Sequence, residues 1–182
     1  SNCQDGYPAQ EKMFIYINYM LETYKPDLVV LGGDNTVGPQ ETKAQAIEEL
    51  VTPFVEHETY FTLVFGNHDH QQGVEKEELL EMYQKYGGKY CLAYDADPDL
   101  TGVANHNLPI YSSDGKKLKF NLWLIDSLNY AVDEAGNDIG YDSVREDQIE
   151  WYKETYKKLE KEAGETVHSI CFQHIIPGEV YE

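Results

Sequence analysis

Basic residues are scarce in this 182-residue chain: 14 lysines and arginines stand against 33 aspartates and glutamates, a net charge of −19. Such a surface repels phosphate backbones and anionic lipid, which excludes nucleic acid and the membrane surface as partners on charge grounds; metal cations are welcome. Cysteine is nearly absent. Cys3, Cys91 and Cys171 are odd in number and far apart, which fits neither a disulfide framework nor a zinc ligand set; Cys171 reads as a small buried residue on a strand. No apolar run approaches the roughly 20 residues of a membrane span, and the opening SNCQDGYPAQ has neither the basic region nor the apolar stretch of a secretory leader. The chain reads as soluble, with a cytoplasmic or an exported location both left open.

What is present is enough apolar material, 41% of residues, for one sizeable core, and no linker or repeat argues for a boundary within 1–182. Met13, Ile17, Met20, Leu21 and Tyr24 keep helical spacing, and Lys25-Pro26 ends that helix before the apolar strand Leu28 to Leu31. A second helix carries Ile47, Leu50, Val51 and Phe54 on one face and leads into a strand from Tyr60 to Phe65. A third, with Leu79, Met82, Tyr83 and Tyr86, ends at Gly87-Gly88. Strands separated by helices of this length predict the α/β class, a mostly parallel sheet with crossover helices. Further on, Leu108 to Ser112 and Lys117 to Asp126 flank a Ser-Asp-Gly-Lys turn and predict a β-hairpin, with Leu118, Phe120, Leu122 and Leu124 facing inward. Ser143 to Glu146 reads as a capping box for a helix stopped by Gly164. The last strand runs from Val167 to Phe172.

Three strands end in polar residues: Leu28–Leu31 in Gly-Gly-Asp34-Asn35, Tyr60–Phe65 in Gly66-Asn67-His68-Asp69, and Val167–Phe172 in Gln173-His174. The carboxyl ends of parallel strands are where α/β proteins bind ligands, so these residues are predicted to converge. Their chemistry suits two metal ions. A carboxylate such as Asp34 bridges cations with its two oxygens, the Asn67 amide oxygen is a neutral hard ligand, and His174 offers an imidazole. Glycines before Asp34 and Asn67 let the backbone turn and approach closely. Alone, a Gly-Asp after a strand is an ordinary turn and His174 an ordinary hydrogen-bonded histidine; the full Gly-Asn-His-Asp string is far more specific.

"GGDN", "GNHD" and "QHIIP", in that order and each after a strand, resemble the calcineurin-like metallophosphoesterases, and GGDNTVG with QHIIPGEVY resembles the purple-acid-phosphatase-like branch. The resemblance implies the central part of that family's α/β sandwich and hydrolysis of a phosphorylated small molecule or other phosphoester. It implies two divalent or trivalent ions (Mn, Fe, Zn or Mg) that turn water into the attacking hydroxide. Asp34 then bridges the metals, Asn67 and His174 bind one of them, and His68, oriented by Asp69, faces the phosphate. Histidine suits that place because it titrates nearest neutral pH.

The family's opening Asp-x-His or Asp-x-Gln has one candidate here, Asn2-Cys3-Gln4, which makes Gln4 a fourth metal-ligand candidate; no closing Gly-His-x-His is present. The expectation is therefore a partial catalytic domain, silent on its own and prone to self-association through unpaired sheet edges. Val37 stands where purple acid phosphatases carry their iron-binding tyrosine, so no colour is expected. A non-catalytic interaction domain with lapsed ligands is the competing reading. A calcium loop at Asp95 to Asp99 fails, because Leu100 and His106 occupy the positions of its glycine and bidentate glutamate; that stretch reads as an acidic surface loop. His70, Asp126, Tyr130 and Tyr141 are candidates for the pocket mouth.

Overall fold

β1 (Leu28–Leu31) and β2 (Tyr60–Leu63) pair in parallel, Leu28 opposite Tyr60 and Leu31 opposite Leu63, with α2 (Gln40–Glu56) as the crossover. The structure, a computed structural model, describes residues 7–71 and 73–177. Both faces of this small sheet are used, which is why its strands read as apolar runs. Val29, Leu31, Phe61 and Leu63 turn towards α1 (Tyr7–Tyr24), α2 and α3 (Lys76–Gly87), where Leu21, Ile47, Phe54, Leu79 and Tyr83 complete the larger core. Leu28, Val30 and Val64 turn the other way, onto Leu122, Leu124, Phe120 and Phe172 of a second sheet.

That second sheet has the order β3–β4–β7. β3 (His106–Tyr111) and β4 (Leu118–Leu124) form the antiparallel hairpin expected from the sequence, closed by Ser112 N–H to Lys117 O at 2.7 Å. β7 (His168–Phe172) lies parallel to β4 after α4 (Glu146–Ala163), whose Trp151, Tyr152, Tyr156 and Leu159 cover Trp123, Ile125 and Leu118. The layers are helices, sheet, sheet, helix.

The α/β class holds, but parallel pairing is confined to β1–β2 and β4–β7; β3–β4 is antiparallel, as is a short hairpin, β5 (Tyr130–Val132) with β6 (Asp138–Tyr141), that the sequence pattern did not announce. Leu118 faces α4 rather than the inner sheet face, because the pairing register shifts at Ile110/Tyr111. The helix α4 is capped two residues later than expected: Arg145 is the N-cap, and Gln148 Oε1 accepts its backbone N–H at 2.7 Å. Gly164, at φ 71°, ends it in the left-handed conformation glycine tolerates best. Cys171 is exposed, contrary to its reading as a buried residue, because β7 pairs on only one side among the described residues.

Candidate metal centre

The turn after β1 places the Asp34 carboxylate between two other strand ends. Its Oδ1 accepts the backbone N–H of His68 at 2.9 Å, and its Oδ2 lies 3.3 Å from His174 Nε2. His174 Nδ1 lies 2.9 Å from Gly32 O. A carbonyl can only accept, so Nδ1 carries a proton, and Nε2, on the Asp34 side, is the ring nitrogen placed where a metal could be bound. Two glycines make this approach possible. A Cβ on Gly66 would collide with Asp34 Oδ1 and N, and one on Gly33 with the His174 ring. Asp34 itself sits at φ 52°, a backbone strain of the kind concentrated at functional sites.

Asp69 is fully buried and holds the two loops together from beneath. Its Oδ1 accepts Asn35 N–H at 2.8 Å and Thr36 N–H at 3.1 Å; its Oδ2 accepts Gly66 N–H at 2.8 Å. Burial pushes this carboxyl up from its ordinary range, and the backbone donors pull against that shift. Lys43, also buried, donates from Nζ to Thr36 O and to Asp69 O, both at 2.8 Å. Burial lowers its pKa, while the Asp69 charge acts to raise it. The structure thus gives Asp69 a different task from the one expected: it orients the loop backbones, and no bond to the His68 ring is present among the described residues.

The exposed His68 ring instead lies edge-on to Tyr130, centroids 6.3 Å apart, with Nε2 3.5 Å from the phenol oxygen. The same hydroxyl accepts a hydrogen bond from Asn67 Nδ2. Tyr130 is placed by the loop after β4. There Asp126 forms a buried pair with Lys76 at 2.8 Å and accepts Val103 and Leu128 N–H at 3.0 Å each, while Ser127 Oγ accepts Ile175 N–H at 2.8 Å. A cleft of about 760 Å³ opens beside Asn67 and His174, lined further by Tyr141, Asp142, Ile149 and Ile176.

Asp34, Asn67, His68 and His174 therefore gather at the carboxyl ends of strands from two sheets, β1 and β2 in one and β7 in the other, not at the edge of a single sheet. Gln4 lies outside the described residues. Of the four pocket-mouth candidates, Tyr130 reaches Asn67 and Tyr141 lines the cleft; Asp126 is buried in its ion pair, and His70 is half-buried, its pKa lowered by burial. Val37 is 77% exposed. Among the described residues no three His, Cys, Asp or Glu side chains converge on one metal position. The groups that do meet fit a metal ion in kind: a carboxylate oxygen and an imidazole nitrogen 3.3 Å apart, with glycine on both sides where a side chain would close the space. Sequence reading passed over Lys43. The signal was there, since 43, 47, 50 and 54 share one helix face and a lysine heads an apolar stripe.

Residues 3–178 match the family model described as calcineurin-like phosphoesterase. The chain belongs to the calcineurin-like phosphoesterase family. Curated relatives of this chain include two from Arabidopsis thaliana, named probable inactive purple acid phosphatase 14 (30% identical over 89% of the chain and 44% of the relative) and 29 (25% identical over the same shares). Phosphatase DCR2 of Saccharomyces cerevisiae is 27% identical over 96% of the chain and 32% of its own length. The chain thus spans less than half the length of these relatives.

Proposed function

We propose that this chain is the part of a metal-dependent phosphoesterase that carries the bridging aspartate and the phosphate-facing histidine of a two-metal centre. The observation that carries the reading is the meeting of Asp34, the His68 backbone and His174 from three strand ends, at two positions where only glycine fits. Asp34, Asn67 and His174 would hold the metal, with Gln4 as a fourth candidate. When bound, divalent ions offset the phosphate's charge and make water a competent nucleophile at neutral pH. The protein's own work is placement: Gly32 O fixes the His174 tautomer, Asp69 and Lys43 fix the loops, and His68 stands exposed where it can protonate a leaving group. The substrate is a phosphate monoester or diester.

In the intact protein, His68→Ala should lower kcat for p-nitrophenyl phosphate by about a hundredfold and leave metal content unchanged. Asp34→Ala and Asn67→Ala should lose metal. Equal metal loss in all three variants would refute this division of roles. A second reading, a non-catalytic domain on the same fold, is favoured by the word inactive in two relatives' names. Metal analysis of the intact protein separates the two readings, a folded metal-free protein supporting the second.

A further inference from the structure

An asparagine amide has two ends, and only its oxygen can bind a metal. Something must decide which end faces the site. Asn67 is buried, and its Nδ2 donates to the Tyr130 hydroxyl. The hydroxyl, having accepted from Asn67, has one other polar neighbour among its hydrogen-bond contacts, His68 Nε2 at 3.5 Å. We propose that Tyr130 is the positioning residue of this centre: its hydroxyl turns the Asn67 amide so that the oxygen is left for the metal, and it props the His68 ring edge-on beside the site. The proposal rests on the phosphoesterase reading for its catalytic consequence, though the amide orientation stands without it.

The surroundings are built to hold this one hydroxyl still. The Tyr130 ring stacks on Tyr141, 5.6 Å between centroids and 21° between planes, so its position does not depend on the hydroxyl. The two strands carrying these rings pair directly, Tyr130 opposite Tyr141. The loop leading to Tyr130 is pinned by the buried Lys76–Asp126 pair, and Asp126 N–H and O are bonded in turn to Asn105 and Gln148 at 3.1 and 2.8 Å. Asp142 N–H closes the hairpin base onto Asn129 O at 3.2 Å. Leu128, at φ 66°, marks the strain accepted in making the turn. Removing the hydroxyl alone therefore leaves the ring in place and frees the amide to flip.

The test is Tyr130→Phe. Nuclear magnetic resonance of the metal-free chain should show the Asn67 side-chain amide protected from solvent exchange in the wild type and released in the variant. Calorimetric titration of the intact protein with Mn²⁺ should show about tenfold weaker binding in the variant, the usual scale for a residue that orients a ligand. At saturating Mn²⁺, kcat should fall while KM stays unchanged. A wild-type Asn67 amide that exchanges as freely as a solvated one overturns the proposal, as does a variant with unaltered Mn²⁺ affinity and kcat. An intact wild type with no phosphatase activity would count against the phosphoesterase reading alone, because the amide measurement needs neither metal nor substrate.

Discussion

The ends of β2 and β7 deliver residues to the same site, but they are held in opposite ways. β2 is buried over Phe61 to Leu63, and the loop after it is bonded from below through Asp69, whose three backbone partners lie on the loops after β1 and β2. β7 is exposed over His168 to Cys171, and the segment after it is tied by contacts of its own residues to other loops, His174 to Gly32 O and Asp34 and Ile175 N–H to Ser127. The difference teaches that half the site is preorganised by the core and half is docked onto it. Preorganisation of this kind is what metal and phosphate chemistry requires of a scaffold, and here it is concentrated on the β1–β2 side.

Asp69→Ala is the harshest way to break the comparison. It strands three backbone N–H groups and leaves the Lys43 charge uncompensated, so urea denaturation should report a loss of about 3 to 5 kcal/mol. Adding Lys43→Met should cost less in the Asp69→Ala background than in the wild type, since the two residues act as one unit.

A second break uses pH. His106 lies buried between the sheets, its Nδ1 2.6 Å from Ala104 O and its Nε2 2.7 Å from Thr62 Oγ1 on β2, and burial pushes its pKa down to about 4. A lowered folded-state pKa means the unfolded chain takes the proton first. The contribution is complete above about pH 6.5 and is lost as pH falls towards 4, about 3 kcal/mol over the interval. Unfolding free energies between those limits should fall with pH in the wild type, and His106→Gln should remove that part of the slope. An unchanged slope would show that His106 is not the group responsible. On the docked side, by contrast, Ile170→Thr on the exposed face of β7 should change stability by no more than about 0.5 kcal/mol. A larger loss would show β7 to be as integral as β2.

What the sequence made legible follows this same division. The helices, the apolar strands and the polar ends of β1, β2 and β7 were readable because period and punctuation are local properties. Asp34, Asn67, His68 and His174 could be singled out because a strand end followed by residues of metal-ligand type is a local signal. The task of Asp69 was not readable, since it depends on where three backbone N–H groups point. Tyr130 was readable only as one of four candidates for the pocket mouth; its hydrogen bond to Asn67 depends on the loop pinned by Asp126 to a lysine 50 residues earlier. Lys76, like Lys43, heads a helix stripe, here with Leu79, Leu80 and Tyr83. A lysine at an apolar-face position is the local trace of both buried networks. The β5–β6 hairpin left no such trace, because all four residues of β6 are exposed and alternate no apolar face.

The central claim is that a metal ion is held where the three strand ends meet, and paramagnetic Mn²⁺ added to the isotope-labelled chain tests it most directly. Resonances of Gly33, Asp34, Asn67, His68 and His174 should broaden first, while those of the Ser112 to Lys117 turn stay sharp. With a net charge of −19 the chain also offers many weak sites. Broadening that begins at the acidic loop from Asp95 to Asp99 and spares Asp34 and His174 would contradict the account.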